Sequence, residues 1–303
     1  MMEIEAGRPA GGIAPDLDDN GAAAPFFNGN AFLPPRQLAH ASILRPPPRP
    51  GRDGETAPFV MDDGLMRSLH FNPRFVQSEM SIDEPYALKL AYTRQMMAFL
   101  LFLPRPRHIV IVGLGGGSLT KFCHRELPRT RVTTVEIDQG VIDCAAFFGI
   151  PAENERMRIV HADAVDYFAA AAAAGEQADL ILLDGCDEFG ITPAFDSLRF
   201  YQNLRARLRP GGLLVANLIG ADVVVERHRG YIMDSFDGRV IVQDVASEGN
   251  HLAFAFNEPW RTPDWPALER EARKLALRHG LDFPAFARKL RRGHEQQLRW
   301  RGR

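Results

Sequence analysis

Cysteine is scarce in this 303-residue chain, and its three copies, Cys123, Cys144 and Cys186, lie far apart with no CxxC pair. That excludes a disulfide framework and offers no zinc-ligand spacing, so no metal is expected and a reducing cytoplasm is the simplest setting. No stretch approaches the ~18 uninterrupted apolar residues of a membrane span, and the N-terminal MMEIEAGRPAGG is acidic where a secretory leader needs an apolar core. Neither sign of charge dominates. The 36 Lys and Arg against 38 Asp and Glu leave a net charge of −2, which gives the whole chain no bias towards nucleic acid or an anionic membrane. With 46% apolar and 24% charged residues, the composition is that of a globular protein.

What is present is unevenly placed. Nine of the 22 prolines precede residue 57, among glycines and alanines without periodicity, so residues 1–57 are expected to be a disordered tail. Residues 58–103 read as a small β-hairpin unit around the Asn72-Pro73 turn signal, followed by a linking helix over 87–103 that Pro104 and Pro106 stop. From 104 to 257 the period changes. Strand-like runs at His108–Val112, Arg131–Ile137, Met157–Val160, Asp179–Leu183 and Leu213–Asn217 alternate with helical segments, the signature of successive βαβ units in a doubly wound α/β sheet. A helix near 221–234 and a closing hairpin, GRVIVQDV with HLAFAF, follow, and residues 258–303 form a basic, amphipathic helical extension. Its apolar positions suit packing on the domain, and its charges would otherwise suit an acidic partner.

Gly113, Gly115, Gly116 and Gly117 follow the first of those strands and open a helix. There the missing Cβ lets backbone N–H groups approach a ligand. Such a turn serves NAD, FAD and S-adenosyl nucleosides alike, and tight strand–helix packing as well. Glu136, ending the second strand about 20 residues on, is spaced to bridge the two ribose hydroxyls of an adenine nucleoside. Asp163, after the third strand, can accept from an adenine amine or cap the following helix. Asp184 and Asp187 sit after the fourth strand, where open α/β sheets build their crevice. Two acids there are costly to desolvate without a positive partner, so a cationic substrate is expected.

The segments VIVGLGGGS, VTTVEIDQGVIDCA, RIVHADAVDYF, LILLDGCDEFG, FYQNLRARLRPGGLLVANL and RFVQSEM together resemble the spermidine synthase family of polyamine aminopropyltransferases over about residues 60 to 256. The resemblance implies a class I S-adenosylmethionine methyltransferase-like (Rossmann-like) sheet with a small N-terminal β unit, in a cytoplasmic and often dimeric enzyme of polyamine biosynthesis. It implies transfer of an aminopropyl group from decarboxylated S-adenosylmethionine to an amine such as putrescine, leaving methylthioadenosine. It further implies that Glu136 holds the ribose, Asp163 the adenine and Gln77 the nucleoside, over the turn of Gly113, Gly115 and Gly117. Asp184 would be the general base, Asp187 the amine-binding acid, and Tyr92 and Tyr201 walls of the amine channel, with ordinary core packing the other reading of both tyrosines. Two positions depart from the family: Gly116 stands where it usually carries Asp, and Thr93 where His or Gln follows the tyrosine.

The chemistry asks for such acids independently. Presenting a primary amine of pKa ~10.4 in neutral form at pH 7 costs about 4.6 kcal/mol, and a positioned carboxylate that takes the proton contributes ~10²–10⁴-fold. Attack on a sulfonium carbon needs no covalent intermediate, which makes Cys186 a loop residue. Because both departures fall on the donor tail and amine side, two alternatives stand beside aminopropyl transfer: methyl transfer from S-adenosylmethionine, and a non-catalytic nucleoside- or polyamine-binding relative.

Overall fold

The structure, a computed structural model, describes residues 42–45, 57–72, 76–174, 177–187, 190–245 and 247–301. Ser42–Arg45 (β1), Phe59–Asp62 (β2), Met66–His70 (β3) and Ser78–Ser81 (β4) pair antiparallel in sequence order. β1 lies inside the segment expected to be a disordered tail. Ile43 and Leu44 supply strand-forming side chains there and its backbone pairs with β2; the rest of that tail through residue 56 is outside the described residues, as is Pro73. Val60, Leu69 and Met80 turn inwards from this sheet onto Leu114, Val141, Cys144 and Phe148. That contact seats the small sheet over the glycine turn.

Ala91–Met96 (α1) continues as a 3₁₀ turn over Met97–Leu101, where the sequence suggested one helix from 87 to 103. Residues Met96 to Leu101 are buried on every side, so enclosure rather than a one-sided apolar stripe sets their winding. The helix also starts late, because its first free amides are capped from far away. The Glu248 carboxylate accepts from Ala91 N at 2.6 Å and Tyr92 N at 2.9 Å, a role usually taken by a residue adjacent in sequence.

His108–Val112 (β5), Ser118–Glu126 (α2), Arg131–Glu136 (β6), Gln139–Asp143 (α3), Met157–His161 (β7), Ala164–Ala174 (α4) and Ala178–Leu183 (β8) alternate as the periodicity indicated. The short pair Cys186–Asp187 (β9) and Gly190–Ile191 (β10) precedes Leu198–Arg207 (α5), Leu208–Leu218 (β11), Asp222–Ser235 (α6), Val240–Val245 (β12) and Asn250–Phe256 (β13). Seven strands form one sheet in the order β12-β13-β11-β8-β5-β6-β7. The four pairings from β11 to β7 are parallel, and the closing hairpin β12–β13 joins β11 antiparallel through β13. The RPGG at 209–212 is itself part of β11. Leu208 already pairs with Ala178, and the extra residues are absorbed as a register shift before Leu213.

Helices cover both faces. Met97, Phe122, Leu275, Phe283 and Leu290 fill one side of the sheet, and Phe168, Phe200, Tyr201, Val225 and Ile232 the other. The basic C-terminal segment is two helices, Trp265–His279 (α7) and Phe283–Arg301 (α8), that bury Ala272, Leu275, Phe286 and Ala287 in the first of these layers. The strand order changes direction at β5, with β6 and β8 on either side, and at such a switch the carboxyl ends of the strands leave a crevice.

One buried cation stands apart from this pattern. Lys121 on α2 is 1% exposed, and its Nζ donates to the Phe148 carbonyl at 2.7 Å and approaches Met80 Sδ at 3.0 Å, with no carboxylate among the described residues in its contacts. Burial pulls its pKa down to about 8 from 10.5. The unfolded chain therefore binds more protons between those values, so folding stability gains with rising pH through that window, on the order of 2–3 kcal/mol. Denaturant unfolding at pH 8 and pH 10 should show this rise in the parent protein relative to Lys121→Met; parallel trends in the two would contradict it.

Candidate active site

The crevice at the β5–β8 switch holds a cavity of about 500 Å³, within the range that takes a drug-sized ligand. Its floor is the turn after β5. Gly113 has φ +91°, and a Cβ there would stand 2.3 Å from the Asp184 carbonyl oxygen, so glycine is required twice over, by backbone angle and by the strand beside it. Gly113 N donates to Val135 O and Asp184 N to Val112 O, both at 2.9 Å, which ties the ends of β5, β6 and β8 together. Gly115 lines the cavity. Gly117 does not; it begins α2 and lies against Ile150.

Glu136 ends β6 and is buried, with 8% exposure. Its Oε2 accepts from Leu114 N at 2.8 Å and its Oε1 from Asp138 N at 2.9 Å. The carboxylate is thus held to the glycine turn, and burial raises its pKa despite those amides. Asp163 lines the same cavity beyond it, and its Oδ1 accepts from Val165 N at 2.7 Å while its carbonyl accepts from Tyr167 N at 2.9 Å. Asp163 thus caps the start of α4 while also lining the cavity. Ile137, Asp138 and Val141 complete this end.

At the other end stands Asp184, just after β8. Tyr92 OH donates to its Oδ2 at 3.2 Å and Asn217 Nδ2 to its Oδ1 at 2.8 Å, while Asn250 Nδ2 donates to Asn217 Oδ1 at 2.9 Å. Burial is the largest influence and lifts the Asp184 pKa to about 6 against the two hydrogen bonds. The result is a fixed, ionised carboxylate at neutral pH that is more basic than an ordinary one. Tyr92 is held well above its usual value by burial first and the Asp184 charge second, so it acts as a neutral donor. From the small N-terminal sheet, Gln77 reaches across and its Nε2 donates to Cys186 O at 2.8 Å. Thr93 also lines the cavity, with its hydroxyl donated back to Leu90 O at 2.8 Å.

Tyr201, named from sequence, is not brought to the cavity, and Gly117 stands outside it as well. Tyr201 is fully buried in the layer under the sheet, not on the cavity wall, and its OH meets His228 Nδ1 at 2.7 Å. The cause is helical spacing: Phe200, Tyr201, Leu204 and Arg207 make the inward face of α5. Asp187 places its backbone in β9, paired to Gly190, and its side chain lies outside the described residues. Asn217, Asn250 and Glu248 line the cavity without having been singled out. Asn217 could have been, as a polar residue closing the apolar run LLVANL; the loop around Glu248 carries no comparable signal. Among the described residues no group of three or more His, Cys, Asp or Glu side chains could hold a metal, and no helix is long and apolar enough to cross a membrane.

Comparison with known proteins gives four findings. The spermine/spermidine synthase domain matches residues 89–228. A polyamine aminopropyltransferase of Chromobacterium violaceum is 35% identical over 238 residues, covering 78% of this chain and 90% of that protein. Among solved structures, human methyltransferase-like protein 13 in complex with SAH superposes with TM-score 0.54 at 26% identity, over 67% of this chain and 92% of that one. A probable spermidine synthase from Corynebacterium glutamicum superposes with TM-score 0.60 at 17% identity, over 76% of this chain and 88% of that one, and so shares the fold.

Proposed function

The chain belongs to the spermine/spermidine synthase family, and from that premise we propose that it is a transferase moving an aminopropyl group from decarboxylated S-adenosylmethionine to a small free amine such as putrescine. The observation that carries this is Asp184. A carboxylate with its pKa near 6, oriented by Tyr92 and Asn217 at the reacting end of a nucleoside-sized cavity, meets the requirement for a base that takes a proton from an alkylammonium.

In this reading Glu136 accepts from the ribose hydroxyls, Asp163 from the adenine amine, and Gln77 closes over the nucleoside above Gly113 and Gly115. The amine lies along Tyr92 with Asp187 as its second acid. Its nitrogen lone pair attacks the methylene bonded to the sulfonium sulfur, the C–S pair returns to sulfur, and methylthioadenosine leaves as a neutral thioether. Asp184 receives the proton that the nitrogen gives up. Burial of Asp184 matters twice: it raises basicity and strengthens the attraction for the ammonium that must reach it.

With amine and donor saturating, kcat should bend downward below pH ~6, losing about tenfold per unit as Asp184 protonates. Methylthioadenosine release followed from pH 5 to 8 checks this, and a profile with no bend in that interval removes Asp184 as the base. Methyl transfer from S-adenosylmethionine is the second reading, favoured by the likeness to a methyltransferase-like protein solved with SAH. A cytoplasmic setting without metal, nucleic acid or membrane partner, and assembly as a homodimer, belong to the same proposal.

A further inference from the structure

If Asp184 takes the proton, as proposed above, its use depends on where its two oxygens point, and each is held by a donor from a different element. Tyr92 OH, on α1, reaches Oδ2 at 3.2 Å, and Asn217 Nδ2, near the end of β11, reaches Oδ1 at 2.8 Å. The first contact is already long for an O–H···O hydrogen bond, so a small drift of α1 would break it. The second needs one face of the amide: turned over, Asn217 would present its own oxygen to the carboxylate.

Both donors are secured from one place, the turn that joins β12 to β13. Glu248 N and Gly249 N donate to Val245 O at 3.0 and 3.1 Å, Gly249 takes φ +70°, and Asn250 pairs across with Val245. On either side of that glycine the turn carries Glu248 and Asn250, which both line the cavity. Leu90, ahead of α1, gives the helix no side-chain cap. Glu248 supplies it instead, its Oε1 accepting from Ala91 N at 2.6 Å and its Oε2 from Tyr92 N at 2.9 Å. Two hydrogen bonds into one carboxylate fix the first turn of α1 in place and direction, and Tyr92 with it. Asn250 is 4% exposed, and its Nδ2 donates to Asn217 Oδ1 at 2.9 Å. With that oxygen engaged, the Asn217 amide keeps its N–H groups towards Asp184.

We propose that Glu248 and Asn250 are positioning residues for the transfer reaction: from a single turn they hold, through Tyr92 and Asn217, both hydrogen bonds that aim the Asp184 carboxylate. Neither takes the proton. The inference rests on Asp184 as the base, and it assigns the closing hairpin, at the edge of the sheet, a part in turnover.

Steady-state release of methylthioadenosine from decarboxylated S-adenosylmethionine and putrescine, with the full chain, tests this. Glu248→Ala and Asn250→Leu should each lower kcat by about tenfold or more, while the KM for the donor stays within about twofold of the parent value. Double-mutant cycles then read whether each acts through its partner. Once Tyr92→Phe has removed the hydroxyl, adding Glu248→Ala should cost less than about twofold, and Asn250→Leu should cost equally little on top of Asn217→Ala. Glu248→Gln keeps one accepting oxygen and should recover part of the loss; it replaces the alanine variant in the cycle if that one does not fold. Parent-like kcat in the single variants, or losses that multiply in full within a cycle, overturn the inference, and an inactive Asp184→Asn then leaves the base in place. Parent-like turnover by Asp184→Asn, or no product from the parent protein, overturns the reading and the inference together.

Discussion

Asp184→Asn lowers turnover by at least ~10²-fold while donor affinity stays close to that of the parent protein. Asparagine matches aspartate in size, and its side-chain oxygen still accepts one of the two hydrogen bonds now given by Tyr92 and Asn217. What it lacks is basicity. In the proposed reading the donor's nucleoside lies at the far end, against Glu136 and Asp163, so a titration with the donor should register little change. Rapid-quench or steady-state assay of methylthioadenosine release measures the loss; turnover within a few-fold of the parent would take Asp184 out of the chemistry.

Gly113→Ala is expected to cost at least about 2 kcal/mol of folding stability and to abolish measurable donor binding. Two separable penalties act there. The positive φ is unfavourable for alanine, and the added methyl would stand 2.3 Å from the Asp184 carbonyl oxygen, which can retreat only by parting the ends of β5 and β8. Gly149 provides the comparison, because its φ of +61° is also positive but nothing lies within 4 Å of its Cβ position. Gly149→Ala should then cost about 1 kcal/mol, by strain alone. Equal costs at the two positions, measured by denaturant unfolding, would mean that the close approach of β8 to the turn has no energetic weight.

These two sites differ in how visible they are from sequence. The turn, Glu136, Asp163 and Asp184 could be read in advance because each follows a parallel strand. The carboxyl ends of such strands converge at one crevice whatever the connecting helices do. The order of elements was legible for the same reason, since buried parallel strands are short apolar runs that stand out between helical periods. Long-range completion was not. Glu248 caps α1 from a loop 156 residues away, and Asn250 steadies Asn217 from the closing hairpin; neither contact leaves a local pattern. Tyr201, for which both an amine-channel wall and core packing were open, is settled by its helix. Resemblance put it on the amine channel, but the inward stripe of α5 claims it for the core, where His228 satisfies its hydroxyl. The glycine at 116 was readable as a missing charge, while the reason a side chain cannot return there, the buried Phe148 ring, depends on a contact between a 3₁₀ turn and the small sheet.

The central claim is that this cavity transfers an aminopropyl group to an amine, and mass spectrometry of the reaction products addresses it directly. Purified protein incubated with decarboxylated S-adenosylmethionine and a diamine such as putrescine should yield the amine extended by one aminopropyl unit, together with methylthioadenosine in equal amount. A methylated amine in place of the extended one, or intact amine after prolonged incubation with a donor shown to bind, would contradict the account.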